Sequence, residues 1–137
     1  MSVGYEIYKQ KIVINSVATE RYVARLKKGN EIDIDQVARL IGQRSTMSIG
    51  DVLGVVAELE EVVVTMVTAG HTVSLGRLGK FVPIINAESQ DSPDLVRSDT
   101  IRRFKCIFKP SKYLKDKFKE VKYRLVSKEV RKTKGSQ

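Results

Sequence analysis

Among its 137 residues the chain has one cysteine, one histidine and no tryptophan. A single Cys, Cys106, excludes an internal disulfide framework and supplies no metal cluster. Its expected setting is a small buried position on a strand. His71 follows Gly70 at a turn into a strand, and no second His, paired Cys or phosphate-loop pattern accompanies it. Metal chemistry and nucleophilic or acid–base catalysis therefore lack their residues, so neither an enzyme nor a cofactor or metal site is expected. The acids Glu58, Glu60 and Glu61 read as a solvated helix face rather than an acid–base pair. No apolar run approaches the roughly 18 to 20 residues of a membrane span, and the opening MSVGYEIYKQK lacks the apolar stretch of a signal peptide. The expectation is a cytoplasmic protein with no membrane partner.

What is present is enough hydrophobic material, 42%, for one domain with a modest core. The net charge of +9 is segregated. Residues 102 to 137 hold 14 Lys or Arg against 3 Asp or Glu, a balance of +11, which leaves −2 for residues 1 to 101. A basic C-terminal third beside a mildly acidic body suits a polyanionic partner, nucleic acid first and an anionic membrane surface next. A solvated basic tail has the same composition.

Four blocks follow along the chain. YEIYKQKIVI and ERYVARLKK alternate apolar or aromatic residues at spacing two and predict a strand hairpin, with NSVAT between them. Asp33 with Gln36 is a capping-box pair, and Ile34, Val37, Ala38 and Ile41 fall on one helical face. After RSTMS, Ser48 with Asp51 starts a second helix whose stripe is Val52, Val55, Val56, Leu59, Val62, Val63 and Met66, stopping at Gly70. Two antiparallel helices are expected. The many β-branched residues oppose helix propensity, so this second helix must be held by packing.

The third block is β: HTVSLGRLGKFVPII, then NAESQDSPDLVRSD, then TIRRFKCIFKP. Gly76 and Gly79 mark a sharp turn or a close approach of backbone. Phe104, Cys106 and Phe108 alternate with Lys105, Ile107 and Lys109, as on a strand with one buried face. The connecting segment carries four acids, one base and Pro93, an acidic interruption in a basic chain. In the fourth block Ser111 can cap a short helix, SKYLKDKFKEV, with Leu114 and Phe118 inward and Lys112, Lys115, Lys119 and Lys122 on another face. VKYRLVSK predicts a last strand and EVRKTKGSQ a frayed basic tail.

This order of elements, with AGHTVSLGRLGKF at 69 to 81 and FKPSKYLKD at 108 to 116, resembles the HU/IHF family of bacterial histone-like DNA-binding proteins. The 26 residues between Phe81 and Phe108 are close to the family's arm length. The flanks look like those of the longer HU-related proteins of Bacteroides-type bacteria. The resemblance implies an α+β, HU/IHF-like fold: two N-terminal-side helices, an antiparallel sheet with a protruding β-ribbon arm, a short C-terminal helix, and added N- and C-terminal strands. The implied division is 1–32 hairpin extension, 33–121 HU-like DNA-binding domain with its arm at about 82–103, and 122–137 strand and basic tail.

The resemblance also implies an intertwined homodimer, with Leu78, Phe81 and Phe108 at its core. Further, it implies a nucleoid-associated, architectural DNA-binding role of little or weak sequence specificity, in which arms enter the minor groove and bend the duplex. Pro93 is then the candidate arm-tip wedge, its other reading being a hairpin-turn residue. Lys109 and Lys112 match family positions near the phosphate backbone, and Arg102, Arg103, Lys105, Lys115 and Lys119 join them on charge and location. Ser111 stands where the family signature has glycine. RNA is a further candidate partner, since a phosphate-reading surface need not distinguish it from DNA. The acids Glu88, Asp91 and Asp94 in the arm favour an alternative, an HU-fold protein-interaction module with little affinity for DNA.

Overall fold

The computed structural model describes residues 1–133, and the chain falls into two compact units. A terminal unit joins Met1–Glu31 to the segment from Lys117 onward, and a central unit comprises Ile32–Asp116.

The terminal unit is a three-stranded sheet in the order β2-β1-β6, from β1 (Ser2–Ile14), β2 (Val17–Leu26) and β6 (Lys122–Lys132). Its hairpin turns on Asn15 and Ser16 alone, with φ of 51° and 64°. Two consecutive left-handed residues match the twist of the flanking strands, which is why a two-residue loop suffices. Val17, Ala18 and Thr19, expected in the connection, pair instead with Ile14, Val13 and Ile12. β6 lies parallel to β1 on its other side and extends to Lys132, so Glu129–Lys132, expected as frayed tail, are strand; Thr133 donates to the Lys9 carbonyl, and 134–137 of that expectation lie outside the described residues. Between Leu125, which pairs with Tyr5, and Val130, which pairs with Ile7, β6 bulges away from β1. Gly4 is needed beside this bulge: a Cβ there would lie 2.5 Å from Val126 Cγ2.

In the central unit, α1 (Ile34–Arg44) starts as its sequence predicts, with Asp33 accepting from the Gln36 amide at 2.9 Å and Gln36 accepting from the Asp33 amide at 3.0 Å. α2 (Ile49–Thr68) is capped by Ser48, which accepts from the Asp51 amide at 3.1 Å. At its far end the His71 amide donates to the Met66 carbonyl and the Gly70 amide to the Val67 carbonyl. With Gly70 at φ 90°, this is a Schellman stop, which only a residue tolerant of that φ makes without strain.

Packing divides the expected α2 stripe in two. Val52 and Val67 are buried and Val56 and Val63 half-buried, whereas Val55, Leu59, Val62 and Met66 are exposed. With Ala38, only Val52 and Val67 are buried apolar residues among those described. Val67 was not on the predicted stripe, because the face that meets the rest of this chain is rotated from the most continuous apolar one.

The central sheet runs β3-β4-β5, with β3 (Val73–Ser74), β4 (Gly79–Ala87) and β5 (Ile101–Pro110) all antiparallel. Residues 88–100 link β4 to β5 through short 3₁₀ turns at Pro93–Leu95 and Ser98–Thr100. α3 (Lys112–Lys119) follows β5. The one buried face expected for β5 is corrected: Phe104, Cys106 and Phe108 are exposed. A single chain has no layer to set against them. No helix among the described residues is long and apolar enough to cross a membrane.

Candidate functional site

Antiparallel register puts directly paired residues on the same face, so the β4–β5 pairing sorts its side chains without ambiguity. Phe81 pairs with Phe108, Pro83 with Cys106 and Ile85 with Phe104, which makes one face apolar. The Phe81 and Phe108 rings meet with centroids 5.4 Å apart at 51°. Lys80 pairs with Lys109, Val82 with Ile107, Ile84 with Lys105 and Asn86 with Arg103, which makes the other face basic. Among the expected contact residues, Arg103, Lys105 and Lys109 are therefore brought into one row, with steps of about 7 Å between alternate residues of a strand. All are exposed.

Lys80 completes the row and was missed by sequence reasoning. Its parity on β4 would have found it once the register was known. Lys80 and Lys109 stand directly opposite one another, an arrangement that repels and that an anion between them relieves.

Arg102 does not join this row. The register slips between Asn86 and Ala87, which pair with Arg103 and Ile101, so Arg102 is the extra residue of a bulge. There it forms an ion pair with Glu88. Asn86, with its carboxamide oxygen turned to Arg103, accepts from Nε at 3.2 Å.

The turn before β4 docks on the start of α3. Leu75 accepts from the Leu78 amide at 3.2 Å, and Leu78 in turn accepts from the Ser111 amide at 3.1 Å. The Ser111 hydroxyl donates to the Arg77 carbonyl and accepts from the Leu114 amide at 3.1 Å. Serine at the signature glycine position thus caps the helix and ties it to the turn. Arg77 lies over the Tyr113 ring at 3.6 Å, a second cation outside the expected set. Gly79 must be glycine: φ is 146°, and a Cβ would collide with the Lys109 carbonyl oxygen. That contact sets how closely β4 and β5 approach and hence where Lys80 and Lys109 sit. Lys112 and Lys115 are exposed on α3, while Lys119, its last residue, belongs to the terminal unit.

Leu78 is exposed at the turn, and Pro93 is exposed at the start of its 3₁₀ turn beside exposed Leu95 and Val96. No cluster of His, Cys, Asp or Glu suited to a metal occurs among the described residues.

A family model described as an HU domain fused to a winged helix-turn-helix, an Ig or a glycine-rich motif matches residues 1–131. The chain belongs to this HU-HIG family. A crystal structure from Bacteroides vulgatus, whose name assigns it provisionally to bacterial DNA binding, is similar to the HU-HIG chain at a TM-score of 0.65 and 14% identity. The similarity covers 97% of this chain and 50% of that one, so the HU-HIG chain spans about half the length of that relative, and the likeness is one of fold. No curated protein matches the sequence. Within the HU-HIG fold, the Gly79 crossing of β4 over β5 and the Ser111 tie to the preceding turn fix the end of the sheet at which Lys80 and Lys109 stand.

Proposed function

We propose that this HU-HIG chain is an architectural DNA-binding protein that acts as a homodimer and reads the phosphate backbone with little sequence preference. The observation that carries this reading is the row of Lys80, Arg103, Lys105 and Lys109 on one face of β4–β5, with two of its cations opposed across the strands. Lys112 and Lys115 extend the phosphate contacts from α3, and Lys119 is assigned with them. In this reading 33–121 is the DNA-binding domain, β4, β5 and their connection form a protruding arm, and the protein resides with the nucleoid in the cytoplasm.

Dimerisation is supported by what a single chain leaves uncovered: Val55, Leu59, Val62 and Met66 on α2, Leu78 in the turn before β4, and Phe104 and Phe108 on the sheet. Burying such surfaces in a symmetric pair is the ordinary outlet for them. Pro93, with Leu95 and Val96, is the apolar group that the 88–100 connection offers to a base step, and is assigned the wedge role. The acids of that connection favour a second reading, docking of a protein partner, in which Arg102 is already neutralised by Glu88.

A salt-titrated mobility shift on linear, nicked and four-way-junction DNA tests the proposal, with light-scattering mass for the dimer. Backbone reading through about six phosphates predicts on the order of a thousandfold loss of affinity from 50 to 200 mM salt. Absence of binding to all three at low salt, or a monomer at micromolar concentration, contradicts it. Pro93→Ala that bends DNA as the parent does removes the wedge alone.

A further inference from the structure

The central unit, Ile32–Asp116, is electrically neutral: it holds 11 Lys and Arg against 11 Asp and Glu. The terminal unit holds 14 Lys and Arg against 5 Asp and Glu, so the whole +9 of the chain lies there. Long-range attraction for a polyanion therefore originates in the appended sheet, outside the part of the chain that carries the β4–β5 row.

Within that sheet more of the charge lies on one face than on the other. Tyr5 pairs with Leu26 and Leu125, and Ile7 with Ala24 and Val130, so the odd positions of β1 are apolar there, while Lys9, Lys11 and Lys132 follow farther along that face with Glu20 ion-paired to Lys9. Glu6 pairs with Arg25, Gln10 with Arg21, Tyr8 with Arg131 and Gly4 with Arg124, so the even positions lie on a cationic face. Lys27 lines the same groove as Glu6, Tyr8, Arg25 and Arg131, and Ser2 brings Lys122 to that face. The opposing carboxylates are Glu6, which is buried and ion-paired to Arg131 at 3.1 Å, and Glu129 at the groove's end. Arg25 lies over the Tyr8 ring at 5.0 Å, a cation–π contact on the same face.

The geometry points to a second nucleic-acid backbone site on this face of the terminal sheet, made by Arg21, Arg25, Lys27, Lys122 and Arg124, with Arg131 held by Glu6. From Arg21 to Lys27 the β2 edge spans about 20 Å, long enough to meet several successive phosphates of a duplex and far larger than one small anion. Arginine supplies three of the five cations, and its planar fork binds phosphate oxygens bidentately. The exposed apolar residues of this face, Ile14 and Val17, lie at the hairpin end of β1 and β2, away from Arg25, Lys122 and Arg124, and the vesicle measurement below separates a membrane surface from a duplex. This site stands whether or not β4–β5 contacts DNA.

The test uses the full chain and a short labelled duplex, with anisotropy followed across salt concentration. In one variant Arg21, Arg25 and Lys27 are all changed to Gln; in another Lys80, Lys105 and Lys109 are. Three lost phosphate contacts lower the slope of log affinity against log salt by about 2.7, and affinity near 0.1 M salt by on the order of a hundredfold. The terminal variant is expected to show that loss, and an unchanged slope and affinity would overturn the site. An unchanged slope in the central variant, with the loss in the terminal one, removes the β4–β5 reading and leaves this site standing. Phosphatidylserine vesicles form a parallel arm: loss of vesicle binding by the terminal variant with duplex binding intact would assign the face to membranes and overturn the proposal. Should circular dichroism show the triple variant unfolded, the Arg21→Gln, Lys27→Gln pair at exposed positions is expected to lower the slope by about 1.8, and no change would overturn it.

Discussion

Arg102 and Glu88 form an ion pair at the point where β4 and β5 slip register. The bulge removes Arg102 from the basic row and hands it an acid from the connecting segment. A cation so engaged is unavailable to phosphate until the pair opens. Glu88→Gln should therefore free one cation and steepen the salt dependence of polyanion binding by about 0.9 in log–log slope. Parallel titrations of the parent and Glu88→Gln measure it, and identical slopes would show that Arg102 never reaches the ligand.

Two glycines with positive φ make a calibrated comparison. At Gly70, φ is 90° and nothing stands within 4 Å of an added Cβ, so Gly70→Ala meets backbone strain alone, about 1 kcal/mol. Gly79 combines its φ of 146° with the Lys109 carbonyl in the way, so Gly79→Ala adds a steric conflict and should cost about 3 kcal/mol or more. Denaturant unfolding should rank them in that order.

Ser111 carries both a cap and a tether. Ser111→Ala loses the bond to the Leu114 amide and should cost about 1 kcal/mol, measured by thermal unfolding. Ser111→Gly should cost less, since glycine is tolerated at an N-cap, although both variants leave the Arg77 carbonyl without this hydroxyl.

Lys9 on β1 and Glu20 on β2, diagonal neighbours in the register, form an ion pair at 2.9 Å. The hydrogen bond from Lys9 holds the Glu20 carboxyl below its ordinary value, and the same bond holds the Lys9 ammonium above its own. The Glu20 contribution is present above the ordinary carboxylate pKa and lost as pH falls through the lowered one. The Lys9 contribution is present below the ordinary lysine pKa and lost as pH rises through the raised one. Glu20→Gln should accordingly change stability little with pH between the two ranges and shallow its fall in acid. A melting series over pH checks this, and because both groups are exposed the effect is small.

The helix starts at Asp33 and Ser48, the stop at Gly70 and the cap at Ser111 were legible in the sequence, because each is a contact between residues three or four apart. The alternation that separates Lys105 and Lys109 from Phe104 and Phe108 was legible as well. The bulge at Arg102 was not, nor was the partnership of Lys80 with Lys109, because both depend on which residue of one strand faces which of another. The α2 stripe was read from its period, yet the period does not say which part of a broad apolar surface meets the rest of the chain.

By itself, then, the sequence determined the elements, their order and the amount and sign of charge, all of which follow from local geometry and composition. Tertiary structure alone decided that the net positive charge gathers in a unit built from both ends of the chain, and how that charge is divided between the two faces of its sheet. The physical reason is that β1 and β6, more than a hundred residues apart, become neighbours only when their backbones pair, and pairing register then assigns every side chain to one face or the other.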